Sequence, residues 1–330
     1  MQRPTPLRWG ILGTARIAEK VAAAIRAAGD ELRLVASRDG QRAAAWAAEH
    51  RVARSCESYA AAIEADDVDA IYIPLPPSMH AEWTIRAAEC GKHVLCEKPL
   101  ACSMTEAEAM AAACREHGVQ LLDGVMWLHH PRAADMRREL EAGTLGDLRR
   151  VTVAFTFCRD FPVDDLRMQR ALGGGSLLDL GWYCVGVALW AFGELPHRVQ
   201  ATARYRQDVD INFAATMWFG ENRIATFDCG FDTVMRRWFE IAGTNASLVC
   251  DDFARPWQPD KARFWLHNAE GKMAERVSRP MVQEVAMIER FGEAVRSGQL
   301  RLDWPARSLA TQRVCEALDL AARGGKAVEL

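Results

Sequence analysis

Leu7-Arg8-Trp9-Gly10-Ile11-Leu12-Gly13-Thr14-Ala15-Arg16-Ile17-Ala18 decides the fold. The first six residues make a short apolar strand, and Gly13 opens a turn into a helix that runs to about Ala28. The run is a G-x-G-x-x-G/A pattern with alanine in the second glycine's place. Such a turn must be tight, bring backbone close to a pyrophosphate and aim a helix N-terminus at its charge. Gly13 meets the first need, whereas Ala15 places a methyl group where the backbone comes closest. By itself the run is equally an ordinary strand-to-helix turn. Its place at the head of a strand–helix alternation makes Gly13, Thr14, Ala15, Arg16 and Ile17 candidate cofactor-binding residues.

Working outward, Glu31 to Ser37 reads as a second strand and Gln41 to Glu49 as a helix. A short strand near Ala53-Arg54, a helix from Tyr59 to Ala65, the strand Ala70 to Pro74 and a helix from His80 to Cys90 follow. The strand from His93 runs to Lys98, and Thr105-Glu106-Ala107-Glu108 reads as a capping box opening a helix to about His117. Val119 to Leu122 is one more strand. This alternation predicts a parallel sheet covered on both faces. Past Asp123 the texture changes. A helix over Pro131–Leu140 precedes β-rich runs at 148–157, 198–205, 213–219, 223–231, 238–242 and 246–250, joined by turns such as Gly220-Glu221-Asn222. Two helices, Val282 to Ser297 and Pro305 to Arg323, close the chain. The expected fold class is α/β followed by α+β. A dinucleotide-binding domain spans 1–123, and a substrate and dimerisation domain with an open, predominantly antiparallel sheet flanked by helices spans 124–330. The uncovered face of that second sheet predicts a homodimer or higher homo-oligomer.

Composition narrows the function. The 330 residues carry 41 Lys+Arg against 44 Asp+Glu, a net charge of −3, which gives no electrostatic footprint for nucleic acid. Met1 to Arg8 lacks the apolar stretch of a secretory signal, and apolar runs elsewhere are broken by charges or glycines short of a membrane span. The 10 cysteines show no C-x-x-C spacing and mostly sit in apolar runs. They predict free thiols in a reducing cytoplasm, with no disulfide framework and no metal site.

Two further stretches carry chemistry. The second strand ends in Ser37-Arg38, where an NAD site places an acidic residue for the ribose hydroxyls. A hydroxyl and a guanidinium suit a 2′-phosphate instead, so NADP is expected over NAD. Asp39 comes late, as a turn residue would. The strand His93-Val94-Leu95-Cys96 runs into Glu97-Lys98-Pro99, where Pro99 cannot donate to a ladder. Ligands of open α/β sheets bind at the carboxyl ends of strands, which makes Lys98 a candidate catalytic group. The second stretch is Gly173-Gly174-Gly175-Ser176-Leu177-Leu178-Asp179-Leu180-Gly181-Trp182-Tyr183. Ser176-x-x-Asp179 reads as a helix start of capping-box type, and Asp179 and Tyr183, four apart, share a face. A carboxylate and a phenol there form a proton-handling pair, or a dipole-serving aspartate beside a core tyrosine.

With these residues in view, the chain resembles the Gfo/Idh/MocA oxidoreductase family, in its glucose–fructose oxidoreductase and dihydrodiol dehydrogenase-like branch. The glycine turn, Tyr72-Ile73-Pro74-Leu75-Pro76-Pro77-Ser78-Met79-His80, Glu97-Lys98-Pro99, Met126-Trp127-Leu128-His129-His130-Pro131 and the 173–183 segment carry the likeness. The resemblance implies an N-terminal Rossmann domain, a C-terminal domain that dimerises through its sheet, and NADP-dependent hydride transfer at a carbinol carbon of a sugar or polyol. It implies Tyr183 as proton donor and acceptor, Lys98 assisting it, and Asp179 orienting the substrate or Lys98. It further implies that Pro74, Leu75, Pro76, Ser78, His80 and Glu97 belong with Lys98 to the cofactor site. His130 is either a core residue or a substrate contact, and Trp127, Trp182 and Phe161 either line an apolar ring pocket or stack on a pyranose. Ala15 and Asp123-Gly124 depart from the family's usual glycine and Glu-Ala. Trans-dihydrodiol oxidation and a non-catalytic NADP-binding regulator are the rival readings.

Overall fold

Strand β1 (Arg8–Leu12) is buried at every position but its first, as a strand covered on both faces requires. The computed structural model describes residues 5–330; Met1 to Pro4, the head of the stretch read above as lacking a signal, lie outside the described residues. After β1 come α1 (Arg16–Ala27), β2 (Glu31–Ala36), α2 (Gly40–Glu49), β3 (Arg54–Cys56), α3 (Tyr59–Ile63) and β4 (Ala70–Ile73). Next are α4 (His80–Glu89), β5 (His93–Cys96), α5 (Met104–Glu116) and β6 (Leu121–Asp123). The strands form one sheet in the order β3-β2-β1-β4-β5-β6, every pair parallel. Strand order reverses direction at the β1/β4 boundary, where such sheets open a ligand crevice. Helix α1 buries Ala18, Val21, Ala22, Ala24 and Ile25, and its small residues allow close approach to the sheet.

One capping assignment shifts. Ser103, not Thr105, is the N-cap of α5: its hydroxyl accepts from the Glu106 amide at 3.2 Å. The Glu106 carboxylate reaches back to the Cys102 amide at 3.0 Å. The box is the same motif begun two residues earlier, because Met104 and Thr105 already have helical geometry.

The second unit begins with α6 (Pro131–Glu141) and β7 (Leu148–Cys158). It continues through α7 (Trp182–Phe192), β8 (Arg198–Arg206), β9 (Val209–Trp218), β10 (Ile224–Gly230), β11 (Asp232–Gly243) and β12 (Ala246–Cys250). Strands β13 (Arg263–Asn268) and β14 (Met273–Val277), which the sequence pattern did not announce, extend the sheet beyond β12. Helices α8 (Gln283–Ser297) and α9 (Asp303–Gly324) and the two-residue β15 (Val328–Glu329) end the chain. The nine-stranded sheet runs β14-β13-β12-β11-β7-β10-β9-β8-β15, and among these only β7 and β10 pair in parallel. Helix α7 packs on β7 and β10, covering the face of Phe213, Ala225, Phe227 and Cys229. The 170–192 stretch is long and apolar enough to cross a membrane, yet 72% of its most apolar window is buried inside the fold.

The chain separates into Met1–Gly124 with Gln283–Ser308, and Val125–Val282 with Leu309–Leu330. The first crossing falls between Gly124 and Val125, and α8 returns to the first unit. Its apolar face, with Met287, Ile288 and Phe291 buried, packs on α1, and the Phe291 ring lies 5.1 Å from that of Trp9. Arg296 at its end reaches Asp30 at 3.1 Å, which also accepts from the Leu7 amide (3.0 Å) and the Trp9 indole (3.1 Å). All 10 cysteines are free, and no cluster of three or more metal-ligating side chains occurs among the described residues.

Candidate functional site

At the β1/β4 crevice, Gly13 has φ +101°, and its amide donates to the Ala36 carbonyl at 2.7 Å. A Cβ on Gly13 would stand 2.9 Å from Leu75 Cδ2, so the glycine is needed both for its dihedral and for the Pro74-Leu75 loop's approach. Ala15 is the N-cap of α1 and makes no side-chain cap bond; the Ala18 amide donates to the Ala15 carbonyl at 2.8 Å, which leaves the amides of Arg16 and Ile17 to a ligand or water. Gly13 is buried, Thr14, Ala15 and Ile17 are partly exposed, and Arg16 is exposed. At the end of β2, Ser37 is buried and accepts from the Asp39 amide at 3.2 Å. Asp39 caps α2, accepting from the Arg42 amide at 3.0 Å, and so is the turn residue its position suggested. Arg38 projects exposed between them. The donors fit a dinucleotide diphosphate at the α1 N-terminus, with a guanidinium rather than a carboxylate at the ribose end.

His80 enters differently from the reading as a cofactor contact. It is fully buried, with Nδ1 3.0 Å from the Pro99 carbonyl and 3.2 Å from that of Leu100, and Nε2 2.8 Å from that of Leu75. The ring sits between the Pro74–Pro77 loop and the segment after Lys98, and burial pushes its pKa below the ordinary histidine value. Pro74 is buried, while Leu75, Pro76 and Ser78 remain partly exposed and able to face a ligand.

Lys98 is half-buried just past β5, and its bond to Pro99 is cis. The neighbouring Glu97 carboxylate accepts from the Tyr72 hydroxyl at 2.7 Å and from the Lys98 amide at 3.3 Å. Part of Glu97 reaches water, but its carboxyl group is enclosed, and burial raises its pKa against the pull of Tyr72 and Lys98. Gly124 makes the enclosure possible: a Cβ there would lie 2.9 Å from all three carboxyl atoms. Glu97 thus serves the main chain that carries Lys98.

In the second unit, Ser176 does not cap a helix as expected. Its hydroxyl donates to Asp210 at 2.7 Å, and Leu177–Gly181 forms a single wide π turn running into α7. Asp179 and Tyr183 still follow one another along one face, since a wider turn brings i and i+4 closer to register. Both are half-buried. Asp179 accepts from Arg167 Nε at 3.1 Å, and Arg167 is itself held by Asp165 at 3.2 Å. Arg167 was not foreseen, because nothing local marks an arginine twelve residues upstream as a carboxylate partner. The Tyr183 ring meets Phe155 edge-on at 5.4 Å and Phe253 at 6.4 Å.

The rings proposed to line the pocket are core instead: Trp127, Trp182 and Phe161 are 2%, 1% and 3% exposed. Trp127 packs against Trp190, Phe239 and Phe253. His130 resolves as structural. Its Nδ1 accepts from the Arg132 amide at 3.0 Å, capping α6, while Nε2 donates to the Met281 carbonyl at 3.1 Å. Arg132 forms a buried ion pair with Asp252 and also donates to the Asp252 and Phe253 carbonyls, fixing the loop that presents Phe253.

Residues 7–125 match the family model described as "Oxidoreductase family, NAD-binding Rossmann fold", and residues 133–249 match the "GFO/IDH/MocA C-terminal domain". D-xylose 1-dehydrogenase (NADP(+)) 2 of Haloferax volcanii is 34% identical over 98% of this chain and 100% of its own. A 3-ketoreductase of Actinomadura kijaniata, solved with NADP and TDP-benzene, superposes with a TM-score of 0.89 at 31% identity, covering 96% of this chain and 98% of its own. Variants of that ketoreductase have been solved with a tyrosine changed to phenylalanine and a lysine changed to alanine or glutamate. An aldose-aldose oxidoreductase of Caulobacter crescentus superposes with a TM-score of 0.90 at 27% identity, covering 99% of this chain and 100% of its own.

Proposed function

Because the chain belongs to the Gfo/Idh/MocA oxidoreductases, we propose that it transfers a hydride between NADP and a carbinol carbon of a sugar or polyol. The observation that carries this reading is Tyr183, a half-buried phenol among aromatic rings, one turn from a carboxylate held by Arg167. When bound, NADP supplies the hydride donor or acceptor; the α1 N-terminus would hold its diphosphate and Arg38 its 2′-phosphate.

In the oxidative direction the carbon gives up its hydride while Tyr183 takes the hydroxyl proton; reduction returns both. A free phenol has a pKa near ~10 and is a weak base at neutral pH. An ammonium beside a phenol favours the phenolate and stabilises negative charge growing on the substrate oxygen, the role this proposal gives to Lys98. Asp179, already oriented, accepts hydrogen bonds from neighbouring substrate hydroxyls. Glu97 and Gly124 fix the main chain from which Lys98 extends.

Phe155 and Phe253 beside Tyr183 suit the apolar face of a pyranose, and equally the ring of a trans-dihydrodiol, which is the second reading. A silent NADP-binding regulator is the rival from another class; it needs Gly13 and Arg38 but neither Lys98 nor Tyr183. We also propose a homodimer through the open sheet face, where Thr152, Thr202, Ala214, Thr216 and Thr226 present small side chains.

The test is a panel of aldoses, polyols and dihydrodiols followed by NADPH absorbance, with NAD in parallel. Tyr183→Phe and Lys98→Met are each expected to abolish turnover while leaving NADP binding largely intact. A fully active Tyr183→Phe enzyme discards the proton-transfer role. NADP binding without turnover of any panel member favours the regulator.

A further inference from the structure

The triple glycine and Ser176 serve a residue that lies far off in the chain. Asp210, near the start of β9, is 6% exposed, and its Oδ2 accepts both the Ser176 hydroxyl (2.7 Å) and the Leu177 amide (2.6 Å). Ser176 makes no cap bond to the turn it precedes, so Asp210 satisfies an amide that the helix start would otherwise leave open. Gly175, at φ +114°, has no room for a Cβ against Asp210 Oδ1. On the other side, a Cβ on Gly174 would lie 2.6 Å from the Leu166 carbonyl and 2.7 Å from that of Arg167. The Gly175 amide donates to that same Arg167 carbonyl at 2.9 Å. Arg167 is the residue that grips Asp179. The bend 174–177 is thus clasped between a buried carboxylate and the turn that orients Asp179.

We propose that Asp210 is a positioning residue for the reaction: its carboxylate, acting through Ser176 and the Leu177 amide, fixes the π turn and so the direction in which Asp179 and Tyr183 face. The inference rests on the hydride-transfer reading and assigns Asp210 no contact with substrate.

The group also titrates in an accessible range. Burial pushes its pKa up to about 6, against the Ser176 and Leu177 hydrogen bonds, which pull it down. The groups facing it are few. Cys229 of β10 and Cys315 of α9 are buried thiols held well above neutrality. Tyr205 of β8 is a phenol pushed up to about 12. Asp319 of α9 adds negative charge but is paired with Arg170 at 3.2 Å and Arg323 at 3.0 Å. Asp210 is thus the group in this cluster that burial brings near pH 6. Protonation below that pH removes the charge that strengthens both hydrogen bonds.

The test compares wild type with Asp210→Asn and Ser176→Ala over pH 5 to 8. Asp210→Asn is expected to lower kcat by roughly tenfold, with NADP affinity unchanged, and to erase the acid limb near pH 6. Ser176→Ala is the gentler variant. It is expected to lower kcat by about threefold and to move the acid limb upward by about half a unit, because it deletes one hydrogen bond to the ionised form. Restoring the hydroxyl with Ser176→Thr recovers the wild-type limb. Wild-type kcat and an unmoved limb in Ser176→Ala overturn the proposal, even if Asp210→Asn fails to fold. Where the wild type turns over no panel substrate, the hydride-transfer reading has failed instead. The amide resonance of Leu177 then reports on the clasp alone: it shifts with a midpoint near pH 6 in wild type and at higher pH in Ser176→Ala, and a pH-invariant signal in wild type overturns the inference.

Discussion

On the proposed reading, Arg38 carries the choice of cofactor in one side chain. Ser37 is buried and accepts from the Asp39 amide, and Asp39 caps α2, which makes the exposed guanidinium the group we propose to meet the ribose end. Arg38→Ala is expected to reduce kcat/KM for NADP by roughly 10- to 100-fold, as loss of a charge-assisted contact of about 1.5–3 kcal/mol implies, while NAD changes little. Parallel progress curves with the two cofactors read this directly, and equal losses for both would move the phosphate contact elsewhere. The structure leaves Arg38 exposed just past β2, Gly13 in the turn after β1 and Lys98 just past β5, places that were legible because each depends on residues adjacent in sequence. Arg167, Asp210 and the Glu97–Gly124 contact were not legible, since each acts on a group that only the folded chain brings to it. His80 shows the converse: a histidine in a ligand-lining stretch whose ring is buried among three main-chain carbonyls.

At the scale of elements, caps and turns govern what can be tested. Ser103→Ala is expected to cost about 1 kcal/mol through loss of the α5 N-cap, seen as a lower urea midpoint at unchanged slope. His130 gives a pH signature. Burial and then Arg132 lower its pKa to about 4, and its Nδ1 must stay unprotonated to accept the Arg132 amide. A depressed folded-state value means stability is fully present above the unfolded value near ~6.5 and is lost as pH falls toward 4. His130→Asn, which keeps a capping oxygen and does not titrate, is expected to lose less stability than wild type between pH 7 and pH 5; parallel urea series would expose equal losses if His130 were irrelevant. Periodicity found the alternating strands and helices of the first unit to within a residue or two. It missed β13 and β14, where Trp265 and His267 interrupt the apolar alternation of Phe264 and Leu266. The π turn at Leu177–Gly181 was also invisible, because its register is set by Asp210 and β10 rather than by its own residues.

Across the whole molecule, Asp30 joins the two ends of the first unit. It accepts from Leu7 and Trp9 at the beginning and pairs with Arg296 late in the chain. Asp30→Ala strands two donors and a half-buried guanidinium, and is expected to destabilise the protein by about 3 kcal/mol. Global urea unfolding checks the value; a loss below about 1 kcal/mol would show that water replaces the carboxylate.

The path of the chain has a practical consequence for anyone recombining this enzyme with its relatives. Each half is assembled from two separate stretches of polypeptide, because Gln283–Ser308 returns to the nucleotide-binding half before Leu309–Leu330 completes the other. A gene fusion cut once at Gly124 would leave α1 and Trp9 facing a foreign helix in place of Phe291 and Arg296. A chimera that keeps its native packing must therefore exchange three junctions together, near residues 124, 282 and 308.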